Sequence, residues 1–178
     1  MVRLVGDPIR SRRVTLGRVV ALHLSASNDI RVVEQVVQET ARFLGQQARP
    51  SEAWMLRFCL CLRETVYNAV MHGNRGSRDA AIEIDVEHHG DAGRVVIVVR
   101  DGGRGFDWKT ALESQRGQDP ERQQGRGLII LAEMADSVEV QEGEVRFALA
   151  LPRDREPGDG APLAAAGAGA GQEREASR

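Results

Sequence analysis

Lysine is nearly missing from this chain. Its 178 residues include 24 Lys and Arg, and Lys109 is the only lysine. A Walker A loop cradles phosphates with Gly-Lys-Ser/Thr, and no such run is present. Any nucleotide site must therefore be of another type. Cysteine is scarce too, with only Cys59 and Cys61. Their spacing is too short for a zinc knuckle, no second pair exists, and on a helix they point to different faces. A reduced, cytoplasmic setting is the simplest reading. No long apolar run is available to span a membrane. Met1-Val2-Arg3-Leu4 leads into no apolar core of a signal peptide. The formal charge is only −2, so there is no electrostatic footprint for nucleic acid.

What is present reads as one domain with a sizeable core. Residues 1–13 are expected to be an N-terminal extension, 14–151 the folded domain, and 152–178 a disordered low-complexity tail. That tail is Pro, Gly, Ala and charge, with too few large apolar residues to offset the entropy of ordering. Residues 13–25 read as one extended stretch. Ser27, Asn28 and Asp29 offer oxygens for a helix start. Val33, Val36, Val37, Thr40 and Leu44 follow at helical spacing.

A second helix is expected from Ser51 to His72, ending near Gly73. At about 100° per residue, Leu56, Cys59, Leu60, Val66, Tyr67 and Val70 form one stripe, expected to face the core. Glu64, Asn68 and His72 form a second stripe roughly 140° away. Ala81 to Glu87 alternates apolar and charged residues, as a strand with one wet face does. His89 to Gly93 reads as a turn, and Val95 to Val99 as a central strand. Residues 108–124 read as a mobile polar loop, Leu128 to Ala135 as a helix, and 137–151 as a closing hairpin.

Three motifs sit at informative places on these elements. Glu64-x-x-x-Asn68 puts two side chains on one side of a helix. An Asn carbonyl is a hard oxygen ligand suited to magnesium, and a Glu one turn earlier can take a proton from a hydroxyl or water. Asp101-Gly102-Gly103-Arg104-Gly105 follows an apolar strand. A carboxylate there can accept from the exocyclic amine of adenine, and Gly103 and Gly105 allow a flat base to approach the backbone. Gly125-Arg126-Gly127 opens a helix, whose free N–H groups suit phosphate. Arg126 can add a charge-assisted contact. Each motif alone also fits a plainer role: a solvated helix face, a turn after a strand, a hinge before a helix.

In this order the motifs resemble the N, G1 and G2 boxes of the GHKL (Bergerat-fold) ATPases. The N box would run from Glu64 to Asn74, the G1 box from Asp101 to Asp107, and the G2 box from Gly125 through Leu128 to Ile130. The Asn-Ala pair before His-Gly and the short lid are most similar to the anti-sigma factor serine/threonine kinases of bacterial partner switching. The resemblance covers about residues 14–151. It implies an α+β fold, a two-layer sandwich whose mixed, mostly antiparallel sheet is covered on one face by helices. It implies ATP and magnesium as cofactors, and Glu64 as general base toward a Ser or Thr of an anti-anti-sigma STAS-domain partner. Asn68 would bind magnesium and Asp101 would read adenine. His72, Gly103, Gly105, Gly125, Arg126, Gly127 and Leu128 would complete the nucleotide site. A sigma factor would be the second partner, and a homodimer is left open, since relatives form them.

A different function fits the same residues. The chain would then be a non-catalytic, nucleotide-gated module that sequesters a sigma factor or another regulator. A sensor histidine kinase would need an acceptor helix pair upstream, for which about 13 residues are expected to leave no room. A gyrase-like enzyme would need a transducer domain downstream, and none is expected.

Overall fold

The computed structural model describes residues 9–74, 77, 80–116 and 126–152. The expected tail from residue 153 on, and Gly125, lie outside the described residues. The elements run β1 (Ile9–Leu16), β2 (Val19–Ser27), α1 (Val32–Gln47), α2 (Glu52–Asn68), a π-helical turn (Ala69–Gly73), β3 (Ala81–His89), β4 (Arg94–Arg100), α3 (Trp108–Arg116), α4 (Gly127–Met134), β5 (Ser137–Gln141) and β6 (Glu144–Ala150). Among the described residues six strands form one sheet in the order β1-β2-β3-β4-β6-β5, and all five pairings are antiparallel. This is an α+β domain with helices packed on one face of the sheet.

The alternation of β3 sets that face. Ile82, Ile84 and Val86 are fully buried, while Glu83, Asp85 and Glu87 on the other face stay partly exposed. β4 lies between β3 and β6. Its Val95, Ile97 and Val99 join the core under the helices. Val98 points the other way and is still buried, flanked in register by Asp85 and Arg146. Long charged side chains can cover apolar surface with their stems while their heads stay wet.

The stretch expected as one strand over 13–25 is two. β1 and β2 form a hairpin through Gly17, whose φ of 61° needs a residue without Cβ. β1 is mostly exposed, so it carries no apolar alternation to reveal it. The polar stretch 108–124 also departs from expectation, because 108–116 is helical. Asp107 starts that helix: its Oδ1 accepts from the Lys109 and Thr110 N–H groups at 3.1 and 3.2 Å. α3 buries no residue fully; Trp108, Ala111 and Leu112 are half-buried at helical spacing, too short a stripe to stand out in a polar stretch.

α2 shows the largest correction. Ser51 caps it, its hydroxyl accepting from Trp54 N–H at 3.3 Å. The inward stripe is Trp54, Phe58, Cys61, Leu62, Thr65 and Val66. Leu56 and Tyr67, expected inside, are 62% and 42% exposed. The helix is apolar around much of its circumference, and spacing alone does not choose a face. Ring size decides. Trp54 and Phe58 stack at 5.6 Å between centroids, and the Trp54 indole N–H donates to the Ala150 carbonyl at 2.6 Å. That pins the start of α2 to the end of β6. Burial pushes the Cys61 thiol up to about 11, against a smaller opposing pull from Arg57. Cys61 is a core residue, inert as a nucleophile.

Candidate functional site

The second half of α2 forms one wall of a cavity. Glu64 and Asn68 are one turn apart, and both reach toward the start of α4. A Cβ built on Gly127 would lie 2.6 Å from Glu64 Oε2 and 3.4 Å from Asn68 Nδ2. A side chain at Gly127 would push the Glu64 carboxylate out of this position. Burial raises the Glu64 pKa above the ordinary carboxylate value, and Arg63 only partly opposes it. Arg63 is itself engaged by Glu34 of α1 at 2.6 and 3.0 Å.

At the far side of the cavity β4 delivers Asp101. Its N–H donates to the Gly143 carbonyl in the β5–β6 turn at 2.9 Å. Its Oδ1 accepts from Gly103 N–H at 2.7 Å. The carboxylate rests on Gly73, where an added Cβ would lie 2.1 Å from Oδ2. The π-helical turn produces this contact. It ends α2 with one wider coil, a feature frequent at functional sites, and brings the bare backbone of Gly73 under Asp101.

Asn74, the next residue, ties the two motifs together. Its Oδ1 accepts from Gly102 N–H at 2.7 Å. Its Nδ2 donates to Asn28 Oδ1 at 3.3 Å and to the Ala81 carbonyl at 3.4 Å. Asn74 and Asn28 are 6% and 9% exposed, so a polar pair this deep survives only with its hydrogen bonds made.

The cavity encloses about 410 Å³, and Glu64, Asn68, His72, Asp101, Gly103, Gly105, Gly127 and Leu128 all line it. Arg126 is described but is not on the wall. It is the exposed N-cap residue of α4 and makes no side-chain cap hydrogen bond. Thr65, Gly73 and Phe106, within the N and G1 boxes but given no role there, also line the cavity, as does Gln115, which sequence reasoning left out. Gln115 supplies an acceptor to α4, since Leu128 N–H donates to its Oε1 at 3.2 Å. Its only signal was its place one turn beyond Trp108, Ala111 and Leu112 at helical spacing, a series too short to stand out in a polar stretch. Gly73 had a clearer signal: it follows a helix whose polar stripe points into the site.

The arrangement offers a half-buried carboxylate beside a helix N-terminus, a neutral amide oxygen one turn on, and a second carboxylate on a glycine-walled apolar slot. Among the described residues no group of three or more His, Cys, Asp or Glu could hold a metal ion by itself. Among them, too, no helix is long and apolar enough to cross a membrane.

A search of curated proteins finds no match. The family model described as histidine kinase-like ATPase domain matches residues 26–151. That span holds every residue lining the cavity and leaves out β1 and nearly all of β2. With well over half the chain matched, this protein belongs to the histidine kinase-like ATPase domain family.

Proposed function

We propose that this protein is an ATP-dependent serine/threonine kinase of the anti-sigma type. It phosphorylates a Ser or Thr of an anti-anti-sigma STAS-domain partner and sequesters a sigma factor. The observation that carries this reading is Glu64, a carboxylate with a raised pKa held against Gly127 at the start of α4. A helix N-terminus is where phosphates bind. A base there is placed to serve a hydroxyl attacking a terminal phosphate.

The chemistry needs positioning and charge neutralisation more than covalent help from the protein. The partner's hydroxyl oxygen bonds to the γ-phosphorus, and the bond from that phosphorus to the β–γ bridging oxygen breaks. ADP leaves, and the hydroxyl proton passes to a Glu64 carboxylate oxygen. Asp101 accepts from the exocyclic amine of adenine. Its spare oxygen is available, because Gly103 N–H occupies only Oδ1. Magnesium, when bound, neutralises charge on the phosphates. The donor set suits it, since this ion keeps waters and substrate phosphates as most of its ligands. Asn68 would supply the one protein oxygen. Gly105, Leu128 and His72 would close the walls, with Arg126 at the rim.

Labelled ATP with magnesium and a panel of STAS-domain proteins tests the reading. Label should appear on Ser or Thr of one partner. Glu64→Ala should lower transfer by about 10²–10⁴-fold, the usual share of a general base, and leave nucleotide affinity nearly unchanged. Full activity in that variant would remove Glu64 from the chemistry. Tight ATP binding with no transfer to any partner would favour the nucleotide-gated binding module instead.

A further inference from the structure

We propose that Gln115 tunes the cavity's affinity for phosphate by competing for the N-terminus of α4. The inference rests on reading the cavity as an ATP site. α4 starts without a side-chain cap of its own, since Arg126 makes no capping hydrogen bond. The first-turn N–H groups of a helix have no partner inside the helix and need one outside it. Leu128 N–H finds one 13 residues upstream, in Gln115 Oε1 at 3.2 Å. Gln115 stands on the last turn of α3 and on the cavity wall.

The contact has the geometry of a stand-in. A phosphate seated at this terminus would take the same first-turn N–H groups. A neutral amide oxygen is a weaker acceptor than a phosphate oxygen, because a charged partner roughly doubles the strength of a hydrogen bond. Gln115 can therefore be displaced, and its displacement subtracts from the affinity of any ligand with a phosphate tail. Adenosine has no such tail and leaves the contact intact. α3 packs on α4 through half-buried Trp108, Ala111 and Leu112, which hold the helix in place while the Gln115 side chain swings away.

The test measures Mg-ATP affinity by calorimetry and adenosine affinity by displacement of a fluorescent adenine nucleotide. Wild type is compared with Gln115→Ala and Gln115→Glu, with thermal melts confirming that each variant is folded. Gln115→Ala should bind Mg-ATP about 3- to 10-fold more tightly, the size of one net neutral hydrogen bond, with adenosine unchanged. Gln115→Glu places a charged acceptor on the same N–H and should weaken Mg-ATP at least about 10-fold, again sparing adenosine. An unchanged ratio of the two affinities in both variants overturns the competition. Weaker Mg-ATP binding by Gln115→Ala also overturns it, and makes Gln115 a direct phosphate ligand. If wild type binds neither adenosine nor ATP, the ATP-site reading itself fails.

Discussion

Glu64 must be ionised to accept a proton, yet its surroundings oppose ionisation. Burial against α4 raises its folded-state pKa above the ordinary 4.5. A raised carboxylate pKa stabilises the fold while the group is protonated, below the unfolded value. That contribution is lost as pH rises through the folded value. Gln resembles the protonated form at every pH. Glu64→Gln should therefore melt close to wild type near pH 4 and above it at about pH 7, with the gap opening through the raised pKa. Melting curves across that range check the sign, and a gap that closes as pH rises would show the carboxylate to be stabilised by partners instead. Asp85, on the opposite face of the sheet, behaves in the other sense. Burial pushes its carboxyl up, but hydrogen bonds from Arg100 and His23 outweigh this and hold it below the usual value. Its contribution is lost as pH falls. One carboxylate is kept uncomfortable beside a cavity, the other settled in an ion-pair ladder, which is the contrast expected of a site and a scaffold.

Among the elements, α2 carries both the core and the site, and its phase was the feature hardest to read. Leu56, Leu60, Tyr67 and Met71 recur at helical spacing as convincingly as Trp54, Phe58, Cys61 and Leu62. The first set is largely exposed and the second buried. The polar stripe was legible because Glu64, Asn68 and His72 interrupt both apolar sets. Its neighbour α3 was missed as a helix, because its inward side, Trp108, Ala111 and Leu112, is short and only half-buried. Only the start at Asp107, with Thr110 three residues on, hinted at a cap. The assignment of α2 makes a paired prediction. Phe58→Ala removes a fully buried ring and should cost about 3–5 kcal/mol. Leu56→Ala should change stability by about 0.5 kcal/mol or less, as exposed positions do. Urea unfolding of the two variants checks this, and comparable losses would mean that Leu56 is covered in solution.

At the scale of the whole molecule, the cavity and the first strand lie at opposite ends of the sheet. β1 is one edge, while β4, β6 and β5 supply the cavity side of the order β1-β2-β3-β4-β6-β5. The motif order was legible in the sequence because each motif sits where an element begins or ends. The strand that closes the far edge was not, since its residues face solvent and belong to no motif. β1 is attached by its ladder to β2 and by Arg13, whose guanidinium lies 5.5 Å over the Phe43 ring and donates to Gln46 at 2.9 Å. It touches α1, which in turn packs on the helix that carries Glu64. Removing residues 1–16 should therefore lower stability by about 1–3 kcal/mol, roughly 3–12 °C in melting temperature. Mg-ATP affinity, measured by calorimetry well below the lower melting point, should stay within about twofold, a change worth under half a kcal/mol. The exposed edge of β2 should also make the truncated chain more prone to associate, because an unpaired strand edge is a template for another. A tenfold loss of affinity in a folded, monomeric sample would mean that the far edge helps to hold the cavity open, and that α1 transmits its position to α2.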